Sequence, residues 1–181
     1  MPPIPRPVTA IPEVKALCER LVPGAIPRRV RVDAPPWAKP DECTENVARV
    51  VEEHGGEAVN GWRLWEPLPG LMIEAEFHMV WMSEDKRPLD VTPSLFPGII
   101  ETVFLADPEL SYEGRQIDNI RVALTDEPLV RDLIQALEAD FEVMNRGELA
   151  NQHGFITMTP EMQAIKDRQG ELFFEIAQKY Y

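Results

Sequence analysis

Residues 71–81, LMIEAEFHMVW, constrain the fold more than any other stretch of this chain. The odd positions, from Leu71 to Trp81, are all apolar. The even positions read Met72, Glu74, Glu76, His78 and Val80. Alternation of this kind predicts a strand, because successive side chains leave opposite faces of a pleated backbone. A strand of this length needs at least one paired neighbour, so a sheet is expected around it. The odd face is the predicted core side. The even face then holds two carboxylates and an imidazole off the core side.

The neighbouring sequence supplies the partners. EAVNGWRLWE before it reads as a strand, with PLPG as the turn. SEDKRP reads as a turn, LDV as a short return strand, and ETVFLADP as a further strand. RRVRVDA alternates briefly and is expected at a sheet edge. SYEGRQIDNIRVAL reads as a hairpin or a polar binding loop.

Helical spacing appears in four places. IPEVKALCERLV sets Val14, Leu17, Cys18 and Leu21 on one face. DECTENVARVVEEHGG has Asp41 as its expected N-cap, a stripe through Val47, Val50 and Val51, and Gly55-Gly56 as its stop. Residues 126–147 carry Leu129, Leu133, Leu137, Phe141 and Met144. A last helix has Thr159 as N-cap and Pro160 at its first position, although Gly170 weakens it. The expected class is α+β: a small, mostly antiparallel sheet packed against the helix that carries Cys43, with helices at the C-terminus.

Ten of the 18 prolines fall within residues 1–40. Residues 1–10 therefore read as an extended proline-rich arm, and 11–181 as one domain. The arm lacks the apolar run of a signal peptide. No run approaches the roughly 20 apolar residues of a membrane span. Acidic residues exceed basic ones by 31 − 18 = 13, which disfavours nucleic-acid binding, since that needs clustered cations. Two cysteines make no disulfide framework, so free thiols in the cytoplasm are expected. Without a GxGxxG or P-loop, no cofactor is expected.

Chemistry concentrates in three residues. A hairpin loop over 82–86 would set His78 opposite Asp90, and one over 83–87 would set them one diagonal step apart. Either register leaves both on the same face. A carboxylate that accepts from an imidazole N–H orients the ring and stabilises its cation. Cys43 falls in the first turn of its helix, where unpaired N–H groups and the dipole favour a thiolate. It shares the sheet-facing stripe with Val47, four residues on.

Cysteine at a helix start, histidine on a strand and aspartate on the next resembles the transglutaminase-like branch of the papain-like cysteine enzymes. FHMVWMSEDKRPLDVTP is similar to that superfamily's His-x-Trp and Asp-x-Thr pattern, with departures. Trp81 stands three residues after His78 rather than two, and Thr44 follows Cys43 with no flanking tryptophan. The resemblance covers roughly residues 41–93. The wider pattern, from C..NV through EAEFHMVW to FLADP, also resembles a family of small bacterial and phage proteins.

The resemblance implies Cys43 as nucleophile, His78 as general base and Asp90 as its orienting partner. It implies acyl transfer on a peptide-like or small amide substrate. The Cys43 N–H would help bind the oxyanion, with Asn46, Asn60 or Trp62 as a further donor. Glu74 and Glu76 are expected either to touch substrate or to raise the pKa of His78. Against this stand a non-catalytic binding module on the same fold, and a zinc site drawn from Cys43, His78, Asp90 and the glutamates. Cys18 reads as a buried core thiol, His54 as a helix C-terminal cation, and His153 as a loop side chain.

Overall fold

The computed structural model describes residues 3–151 and 156–181. His153 lies outside them. The strands are β1 (Arg6–Pro7), β2 (Arg28–Val32), β3 (Glu57–Leu68), β4 (Met72–Met82), β5 (Pro88–Asp90), β6 (Glu101–Ala106) and β7 (Ile120–Ala123). The helices are α1 (Pro12–Leu21), α2 (Cys43–His54), α3 (Pro128–Met144) and α4 (Pro160–Tyr180), with a 3₁₀ turn over Gly147–Asn151. The α+β class holds.

The sheet, however, does not stay open. Its order is β1-β3-β6-β2-β5-β4-β7, and β3 also pairs with β4. Five strands, β3, β6, β2, β5 and β4, thus close into a barrel. β1 extends it beside β3, and β7 beside β4. Every pairing is antiparallel except β2 with β5. RRVRVDA therefore supplies an inner strand held on both sides, not an edge.

The long β3–β4 hairpin runs in register from Glu57↔Met82 to Trp65↔Glu74, then slips between Trp65 and Leu68. Pro67 sits inside that slip, where a residue without an N–H breaks no ladder bond. Closure depends on Gly61. It pairs with His78 on one side and Ala106 on the other. A Cβ there would stand 2.2 Å from the Leu105 carbonyl oxygen and 2.6 Å from the Phe104 ring.

Closure also explains why the two-faced reading of β4 was incomplete. Ile73 and Ala75 pack with Trp62, Leu64 and Leu105 beneath α1, and Val8 of the arm joins them. Met79 and Trp81 pack against Val47 and Val50 of α2. The even face reaches solvent only in part, at Glu74 and Glu76, which keep 16% and 29% of their side-chain exposure. Val80 meets Val30 and Phe104, from two other barrel strands, and Met72 is sealed by Val130, Leu133, Leu172 and Ile176 of α3 and α4. The face read as lying off the core is largely the inside of a barrel.

The proline-rich arm is extended, and it is docked. The Arg6 guanidinium donates to Glu66 at 2.8 Å. Glu66 is 2% exposed and also accepts from the Gly70 N–H. In α4 the Thr159 hydroxyl caps the Met162 N–H as expected, and the helix runs through Gly170 without a break.

Candidate active site

β4 and β5 pair as Trp81↔Leu89 and Met82↔Pro88. The hairpin loop is therefore 83–87, the second of the two registers, and His78 sits one diagonal step from Asp90. His78 Nε2 and Asp90 Oδ2 are 2.9 Å apart. The two residues are only 2% and 1% exposed. Asp90 spends its other oxygen on the Thr92 N–H at 3.0 Å. It serves as local turn residue and histidine partner at once, and the turn bond holds the carboxylate in place for the ring.

Cys43 is the first residue of α2. The cap is Glu42 rather than Asp41, and no side chain caps this end. Asp41 instead takes a positive φ of 63° in the turn that precedes the helix, a conformation Asp tolerates better than most residues. The first helical bond joins the Asn46 N–H to the Glu42 carbonyl. The N–H groups of Cys43, Thr44 and Glu45 therefore have no carbonyl one turn back. The Cys43 thiol is half-buried.

The His78 pKa is pushed up to about 9. Burial by itself drives it down, because it disfavours the cation. The Asp90 charge, the Asp90 hydrogen bond and a hydrogen bond with Cys43 outweigh that burial, while Arg63 opposes them. The balance favours the imidazolium form of the ring. With Nε2 committed to Asp90, Nδ1 is the nitrogen left to Cys43.

Cys43 and His78 open onto a cleft of about 440 Å³ whose lining also includes Thr92, Arg63 and Glu76, while Asp90 lies behind His78, out of the lining. Tyr112, Gln116, Ile117 and Asn119 form another wall, so the polar segment SYEGRQIDN does border the site. The Tyr112 ring stacks on Phe77 with centroids 5.3 Å apart.

The expected substrate contacts fare unevenly. Glu76 lines the cleft but is held by Arg63 at 2.6 Å. Glu74 is held by Arg121 at 3.0 Å and by Asn119 at 2.8 Å. Burial raises the Glu74 pKa, against Arg121, with Glu76 adding to the rise and the Asn119 and Arg121 hydrogen bonds resisting it. The raised His78 value comes from Asp90 and Cys43, not from either glutamate.

Trp62 is not a cleft residue. It lies in the core beneath α1, with its indole N–H on Asp107 at 2.9 Å. Asn46 points elsewhere too. Its amide donates to the Lys39 carbonyl at 2.7 Å and to Thr92 Oγ1 at 3.3 Å, and accepts from the Lys39 N–H. It therefore staples the start of α2 to the strand end that holds Asp90. Asn60 donates to the Leu110 carbonyl and is no oxyanion donor for Cys43. His54 ends α2 with an exposed ring.

Arg63 was not singled out in the sequence. It carries the only charge on β3 between Glu57 and Glu66, and the hairpin register sets it opposite Glu76. That pairing was the available signal. Among the described residues, no three His, Cys, Asp or Glu side chains form a cluster that could hold a metal ion. No helix among them is long and apolar enough to cross a membrane.

Compared with family models, with curated proteins and with solved structures, the chain has no match. The fold and site alone therefore define the class. It is an α+β barrel that sets a helix-N-terminal cysteine against a buried histidine–aspartate pair.

Proposed function

We propose that this protein is a cysteine-dependent acyl-transfer enzyme that acts on an amide or ester of peptide-like character. One observation carries the reading: His78 bonds Asp90 at 2.9 Å inside the barrel and lines one cleft together with Cys43 at the open end. A cationic imidazole beside a thiol at a helix N-terminus favours the thiolate.

Cys43 Sγ attacks the carbonyl carbon and its electron pair moves to the oxygen. The first-turn N–H groups of α2 receive that oxyanion. The carbonyl re-forms as the imidazolium of His78 gives its proton to the leaving amine or alcohol. A thioester remains on Cys43. Water or an acceptor amine then attacks it and loses a proton to His78, and the adduct expels the Cys43 thiolate, which restores the starting ion pair. Asp90 keeps the ring oriented and its cation stable throughout. Asn46 and Thr92 act through Cys43 and Asp90 as positioning residues.

The test is iodoacetamide alkylation across pH, read by mass spectrometry at each cysteine. Cys43 is expected to react at pH 6, and His78→Ala to slow that reaction about 100-fold. Reactivity appearing only near the free-thiol range of about 8.5, or indifferent to His78, would overturn the nucleophile assignment.

A further inference from the structure

A second and larger cavity, of about 920 Å³, lies beside the Cys43 cleft. The two share Asp41, Arg63 and Glu76 as walls. Beyond that polar waist the larger cavity is mainly apolar, with Glu74, Ser94 and Gln178 as its polar exceptions. Pro3 and Pro5 of the arm form one side, Leu95 and Phe96 another, and Phe173 and Phe174 of α4 a third, with Trp65 part of the wall. Leu95 is 61% exposed and Phe174 is 63% exposed. Large apolar side chains left open around a concavity mark a binding surface.

The volume falls in the range of small-ligand and short-peptide sites, which are concave and mainly apolar with a few convergent polar groups. The polar groups here gather at the waist. The Arg63 guanidinium is pinned by Glu76 and lies 4.9 Å from the centre of the Trp65 ring. The indole N–H of Trp65 is buried and has no acceptor among the described residues. An occupant that enters this cavity and reaches Cys43 must be apolar along its body. It must present carbonyl and amide groups at the waist.

We infer that the groove is the substrate-selecting half of the site, and that it takes a peptide-like amide with bulky aliphatic or aromatic side chains. The assignment rests on the acyl-transfer reading for the chemistry, but not for the binding. The apolar side chains lie among Phe96, Phe174 and the arm prolines. The backbone amide runs past Arg63 and delivers a carbonyl to Cys43.

The experiment separates the two ideas. Binding of N-acetyl-leucyl-phenylalaninamide and of N-acetyl-glycyl-glycinamide to the full chain carrying Cys43→Ala is measured by calorimetry. The apolar amide is expected to bind at least 10-fold more tightly. The double variant Leu95→Asp, Phe174→Asp alters only exposed side chains and is expected to erase that preference while its circular dichroism stays unchanged.

Equal binding of the two amides overturns the inference, as does a preference that survives in the double variant. A dimer in sedimentation that the double variant converts to monomer also overturns it, because a second copy then covers the groove. Selective binding together with an unreactive Cys43 in the unsubstituted chain leaves the groove assignment standing and removes the acyl-transfer reading alone.

Discussion

Cys18 and Cys43 lie on two helices that pack against the same barrel, yet their surroundings differ in every respect that governs thiol chemistry. Cys18 lies within α1, 2% exposed, among Val14, Leu17 and Leu64. Burial pushes its pKa up, with a smaller opposing pull from a backbone hydrogen bond. Cys43 opens α2, where the first-turn N–H groups lack helical acceptors, and lines a cleft together with His78. Position along a helix and the group across the interface, not residue type, distinguish the two thiols.

The largest expected difference is in reaction rate. At pH 6 in the native state, Cys43 should alkylate at least 100-fold faster than Cys18, since only Cys43 opens onto a cleft beside His78. Comparable labelling of the two would erase the contrast.

Next in size is the stability held by the buried pair. His78→Ala leaves Asp90 without its partner inside the barrel. It should cost about 3–5 kcal/mol in urea unfolding, the usual penalty for stranding one member of a buried ion pair. A loss below about 1 kcal/mol would mean that Asp90 reaches water.

The same pair predicts a pH dependence. Its folded value of about 9 lies above the ordinary 6.5, so the cation is favoured by folding. The stabilisation is complete below about pH 6.5 and is lost as pH rises through about 9, by roughly 3 kcal/mol. Asp90→Asn should flatten that slope and bring the imidazole titration, followed by NMR, back toward the ordinary range. An unchanged titration would show that Asp90 does not set it.

The smallest effect belongs to the core thiol. Cys18→Ala should cost about 1 kcal/mol through a small cavity and leave Cys43 alkylation unchanged. A change in Cys43 reactivity would tie the two helices together in a way their separate clusters do not suggest.

Much of the chain was legible in its local pattern, because the signals are short-range. The alternation of 71–81 gave β4, and PLPG and SEDKRP marked its hairpins. Thr159 with Pro160 marked the start of α4. The joint placement of His78 and Asp90 was equally legible, since any antiparallel return with an odd loop puts them on one face. Asp41 was misjudged as the cap because its side chain suits that role, while the backbone turn into α2 requires a positive φ there.

By itself, then, the sequence determined most of the elements, the α+β class, and the shared face of His78 and Asp90. Tertiary structure decided what those residues experience. Closure of β3 on both β4 and β6, allowed by the missing Cβ of Gly61, turned an apparent solvent face into a barrel interior. Inside that enclosure the Asp90 charge and hydrogen bond outweigh the burial that would lower the His78 pKa. Closure also took Trp62 out of the cleft, brought Arg63 in, and laid the proline arm and α4 around an apolar groove. Strand alternation reports which side chains share a face. Which faces meet is set by pairings between distant strands, and no local pattern records those.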